Sequence, residues 1–95
     1  MRAVTFNAVQ SFRDNETKKF GNTRVIVKDG ITKLLLYDNL IAKKENGVLR
    51  VSNAGWQSNT TKERLNALHG VSINQSKGVW YLNGIEWDGD WIEIK

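Results

Sequence analysis

Ninety-five residues with a net charge of +4, no cysteine and no proline provide for one modest core. They exclude disulfide staples, thiolate catalysis and cysteine-ligated zinc. A composition of 40% hydrophobic and 25% charged residues is that of a folded chain, and the longest apolar runs, 34–37 and 79–82, are too short to cross a bilayer.

The expectation is a single domain over residues 1–95, with an N-terminal helix and loop at 1–22 and a β-rich body at 23–95. Met1-Arg2-Ala3-Val4 opens without an apolar leader, so an intracellular protein is expected. Turns fall to ten asparagines and eight glycines. Residues 3–14 place Val4, Ala8, Val9 and Phe12 at helical spacing, with Thr5 or Asn7 as the cap, and residues 15–22 read as a loop. From residue 23 the period is two. Runs at 23–28, 31–37, 40–44 and 48–52 are separated by Asp29-Gly30, Asp38-Asn39 and Glu45-Asn46-Gly47, which predicts an antiparallel meander.

Residues 60–69 then read as a short helix. Thr60 and Glu63 have capping-box spacing, Leu65 and Leu68 share a face, and Gly70 suits the left-handed stop. Runs at 71–74 and 79–82 meet across residues 75–78, Asn83-Gly84 leads into 85–87, and Asp88-Gly89 into 91–94. The predicted fold class is α+β: antiparallel β-meanders with one short capped helix at about 60–69 between them, and an N-terminal helix.

Catalytic signals are thin. His69 is the sole histidine, placed where its cationic form would complement the carbonyls ending the short helix, and a zinc site lacks partners for it. Glu86, Asp88, Asp90 and Glu93 lack calcium-loop spacing and read as solvated turn residues. No glycine-rich phosphate loop is present. The expectation is therefore no catalytic residue, no metal ligand and no cofactor.

Charge points elsewhere. Residues 1–77 hold thirteen Lys/Arg against six Asp/Glu, whereas residues 78–95 hold one Lys against four acids. Lys43, Lys44, Arg50, Lys62, Arg64 and Lys77 form one basic patch if the helix start lies over the meander, and Asn59, Thr60 and Thr61 would then offer phosphate donors. Four tryptophans are many for this length. With Ile92 and Ile94 inward, Trp91 points outward. Trp87 and Trp91 are thus candidates for a protein interface, the alternative being that they cover an edge or a second small core.

The strings Ser52-Asn53-Ala54-Gly55-Trp56, Thr60-Thr61-Lys62-Glu63-Arg64-Leu65-Asn66-Ala67-Leu68, Tyr81-Leu82-Asn83-Gly84 and Trp87-Asp88-Gly89-Asp90-Trp91 resemble small accessory proteins of tailed bacteriophages. The resemblance runs from about residue 22 to the end. It implies a phage origin and action in the host cytoplasm, and it carries no functional residue with it. The expected function is a non-enzymatic accessory protein binding nucleic acid through a basic surface. The alternative is a protein-binding inhibitor or adaptor directed at a host or anti-phage defence protein. No membrane partner is expected, and the sequence leaves the oligomeric state open.

Overall fold

The computed structural model describes residues 3–94. Helix α1, Ala3–Arg13, buries Thr5, Ala8, Ser11 and Phe12, a stripe at spacings of three and four. Thr5 lies inside this helix, so it is a core-facing polar residue and not the cap that its sequence position suggests. At the other end, Lys44 Nζ donates to the carbonyls of Phe12 (3.0 Å) and Arg13 (3.2 Å), a cation at a helix C-terminus.

The main sheet contains β1 (Lys18–Phe20), β2 (Thr23–Lys28), β3 (Ile31–Leu36), β4 (Asn39–Glu45), β5 (Val48–Val51) and β9 (Ile92–Ile94), side by side in that order and antiparallel throughout. Two-residue turns join its central strands: Asp29-Gly30 (φ 54° and 78°), Tyr37-Asp38 (50° and 64°) and Asn46-Gly47 (53° and 78°). Positive φ at both central positions gives a twist that matches the flanking strands, which is why Asp-Gly and Asn-Gly serve so well here. β1 corrects the expected loop over residues 15–22: Lys18, Lys19 and Phe20 pair with Val25, Arg24 and Thr23.

A second sheet holds β6 (Ile73–Ser76), β7 (Val79–Leu82) and β8 (Ile85–Glu86). Its turns are Lys77-Gly78 and Asn83-Gly84, so β6 begins two positions later than the hydrophobic pattern indicates, and its turn is two residues rather than four. The last strand does not continue this meander. β9 crosses to the first sheet, where Ile92 and Ile94 lie opposite Val51 and Leu49. A clasp secures that crossing: the Gly89 carbonyl accepts from Asn53 N (2.9 Å) and from Ser52 Oγ (3.0 Å).

Helix α2, Asn59–Asn66, is capped by Ser58, whose Oγ accepts from Thr61 N at 3.1 Å. The Thr60–Glu63 capping box therefore does not form. Glu63 accepts instead from Thr5 Oγ1 (2.6 Å) and pairs with Arg64. The helix stops at Asn66, short of residue 69. His69 sits in the turn beyond, before Gly70 at φ 83°. Ser58→Ala is expected to cost about 1 kcal/mol, and Thr60→Ala less than about 0.5 kcal/mol, since only the first removes an N-cap acceptor. Urea unfolding of the two variants checks the assignment, and the reverse ranking would refute it.

The core lies between one face of the six-stranded sheet, the two helices and the second sheet. It gathers Ala8, Phe12, Val25, Leu34, Leu36, Ile41, Ala42, Val51, Leu65, Leu68, Ile73, Trp80, Leu82 and Trp87. In β7, Trp80 and Leu82 are the inward pair. Trp80 and Trp87 rings stand 6.2 Å apart, and Trp87 Nε1 donates to the Asp90 carbonyl at 2.8 Å. One cation joins this core. Arg64, 0% exposed, donates from Nε to Thr23 Oγ1 (2.9 Å), from one terminal nitrogen to Thr5 Oγ1 and Glu63 Oε1, and from the other to Asn22 Oδ1 (3.3 Å). A single side chain thus ties α1, α2 and the start of β2 together.

Candidate nucleic-acid interface

Residues paired directly across antiparallel strands point to the same face of a sheet, so register alone sorts the side chains. On the core side stand Val25, Leu34, Ala42 and Val51. On the other side, Ile26 lies opposite Lys33, Lys33 opposite Lys43, Lys43 opposite Arg50, and Arg50 opposite Glu93. The neighbouring row toward the β3–β4 turn is Lys19, Arg24, Leu35 and Leu40; the row on the other flank is Lys28, Ile31, Glu45 and Val48. None of these outward residues is buried, and none belongs to the hydrophobic core, which lies wholly on the opposite side.

This open face carries Lys19, Arg24, Lys28, Lys33, Lys43 and Arg50 against Glu45 and Glu93. Lys33, Lys43 and Arg50 occupy adjacent strands, spaced by one strand separation of about 4.8 Å. Arg50 and Glu93 approach at 3.7 Å with both side chains 42% exposed, and a pair so hydrated adds little to stability. Trp91, 39% exposed, lies under Lys43, whose Nζ sits 4.6 Å from the ring centroid. A cation held over an indole and flanked by two more cations can meet phosphate oxygens while aliphatic side chains between them meet sugars or rings.

The sequence-derived patch divides across the molecule. Lys43 and Arg50 stand together on the open face, with exposed Trp91 as an aromatic neighbour. Lys44 is on the core side at the end of α1, and partial burial there lowers its pKa from the usual lysine value, against an opposing pull from Asp14. Lys62 bonds Gln75 Oε1 at 3.1 Å, and Lys77 occupies the β6–β7 turn. Asn59 is exposed and Thr60 half-buried, while Thr61 is buried with its N–H taken by Ser58. Arg64 is a core side chain, not a surface cation, because three elements converge on its guanidinium. Trp87 is 6% exposed and packs on Trp80, so it belongs to the core and not to an interface.

Sequence reading missed Lys19, Arg24, Lys28 and Lys33. The signal was present: a two-residue turn at Asp29-Gly30 forces Ile26 opposite Lys33, and one at Asn46-Gly47 forces Lys43 opposite Arg50. Among the described residues no cluster of His, Asp and Glu could hold a metal ion, and no helix is long and apolar enough to cross a membrane.

Residues 1–94 match the family model described as Kyanoviridae Gp96 protein, extending the phage resemblance over α1 and β1. Neither the curated proteins nor the solved structures contain a match.

Proposed function

The chain belongs to the Kyanoviridae Gp96 family of phage proteins, and from that premise we propose a non-enzymatic accessory protein that binds nucleic acid in the host cytoplasm through the open face of its six-stranded sheet. The observation that carries this reading is the row Lys33, Lys43 and Arg50 on adjacent strands of an uncovered face, with Trp91 beneath the middle cation. Such a row neutralises successive phosphates and releases their counterions, so affinity should fall steeply with added salt.

Replacing Lys33 and Arg50 together by alanine is expected to weaken binding about 10-fold or more at moderate salt. It should also reduce the salt slope by roughly 1.4 to 1.8, or about 0.7 to 0.9 for each phosphate no longer neutralised. Lys77→Ala, on the other sheet, should leave both unchanged. Fluorescence anisotropy over a salt series reads both quantities, and an unchanged slope in the double variant would overturn the assignment.

A protein partner is the second reading. It draws on exposed Ile85 and Ile92, which with Leu82, Trp87 and Ile94 line a hollow of about 400 Å³ between β8 and β9. Binding that survives both nuclease and high salt, and is lost on Ile92→Asp, would favour it.

A further inference from the structure

A second feature lies at the end of the sheet where β3 turns into β4. A cleft of about 310 Å³ opens there, walled below by Leu36 and Ile41 and above by Ser58 and Thr60 at the start of α2, with Tyr37 and Trp56 among its lining residues. These two rings are 66% and 62% exposed, unlike Trp80 and Trp87. Trp56 is displayed on a braced mount. Its N–H bonds the Asn53 carbonyl (2.9 Å), Gly55 N bonds Asn53 Oδ1 (2.8 Å), Ala54 N bonds Ser52 Oγ (3.0 Å), and Ser52 and Asn53 are clasped to Gly89. Tyr37 is fixed likewise, its N–H on the Asn22 carbonyl at 2.8 Å.

We propose that this cleft receives a base of a single-stranded nucleic acid whose backbone runs over the open sheet face. The inference rests on the nucleic-acid reading and adds to it the strandedness of the ligand and the place where a base is held. Cleft and face lie on opposite sides of one hairpin and meet around its tip: Leu35 and Leu40 point to the open face, Leu36, Asn39 and Ile41 line the cleft on the other side, and Tyr37 stands in the turn between. Lys19 and Arg24 occupy the outward row at this same end, Arg24 held 3.0 Å from exposed Asp38, so phosphates have cations where a base would turn into the cleft. The volume is at the lower end for small-ligand sites and suits one planar ring. Two aromatic residues supply stacking, which every base can use, and the Thr60 and Asn39 side chains offer polar edges. A duplex keeps its bases stacked and paired, and would have to extrude one at a cost in energy to use the cleft.

The test titrates an oligothymidylate and a blunt duplex of equal length into the wild-type protein, Trp56→Ala, Tyr37→Ala and the Lys33/Arg50 double variant at matched salt. The wild type should bind the single strand at least about 10-fold more tightly than the duplex. Trp56→Ala and Tyr37→Ala should each lose about 10-fold on the single strand with the salt slope unchanged, because stacking releases no counterions. Both rings are exposed, so unfolding midpoints close to wild type will show that the variants remain folded. Wild-type affinity in both aromatic variants, beside a loss in the double variant, would overturn the cleft and leave the sheet face standing. A wild-type protein that binds neither nucleic acid would overturn both.

Discussion

Gly89→Ala is expected to destabilise the protein by about 3 kcal/mol, lowering Tm by about 12 °C or more for a chain of this size. Gly89 has φ 92°, where a side chain costs roughly 1–2 kcal/mol, and a Cβ there would stand 2.1 to 2.5 Å from the carboxamide of Asn53. Asn53 has little room to yield. It is buried, and its Oδ1 holds Gly55 N while its N–H holds the Gly89 carbonyl. Overpacking of this kind adds roughly 1–3 kcal/mol. The two contributions separate in a double-mutant cycle: in an Asn53→Ala background, Gly89→Ala should cost only the backbone part, about 1–2 kcal/mol. Calorimetry on the four proteins checks this. Full additivity would show that the contact with Asn53 contributes nothing.

Arg64→Ala is the second large effect, about 3 to 4 kcal/mol. Truncating one partner of a buried charge network leaves the other groups uncompensated and opens a cavity as well. Thr23 Oγ1 loses its partner on Nε, and the link from α2 to β2 disappears. Arg64→Met should cost clearly less, because it refills the space, and the hydrogen bond from Thr5 Oγ1 to Glu63 can persist. Arg64→Lys should fall nearer alanine than methionine, since an ammonium cannot reproduce the planar fork that reaches Thr23, Thr5, Glu63 and Asn22 at once. Denaturant unfolding of the three variants gives the ranking. A cost for Arg64→Ala below about 1 kcal/mol would mean that the network adds little to the fold.

Much of the architecture was legible because the turns announce themselves. Asp29-Gly30, Asn46-Gly47 and Asn83-Gly84 each place two residues at positive φ, and the strands on either side follow from the period-two pattern. What stayed hidden depended on partners remote in sequence. The three residues of β1 are too few to display alternation, and nothing in Ile92-Glu93-Ile94 tells whether it will pair with β8 or β5. The cap of α2 was read at Thr60 on its spacing to Glu63, but Thr5 and Arg64 draw Glu63 away and Ser58 caps the helix instead. The burial of Arg64 was illegible for the same reason, as its hydrogen-bond partners lie up to 59 residues away. The open basic face was half legible. Lys43 and Arg50 could be named, but their company depends on register, and two turns were read at Asp38-Asn39 and Glu45-Asn46-Gly47 where Tyr37-Asp38 and Asn46-Gly47 stand.

The crossing of β9 has a consequence for how the chain reaches this fold. Strands β1 to β5 can each zip onto the one before, closing only a tight turn at every step, so their pairing is local and inexpensive in chain entropy. Pairing β9 with β5 instead closes one long loop that holds α2 and the whole second sheet, and the Ser52–Gly89 bond within the clasp spans 37 residues. The meander is therefore expected to form first and the Gly89 clasp late, so that weakening the clasp should speed unfolding more than it slows folding.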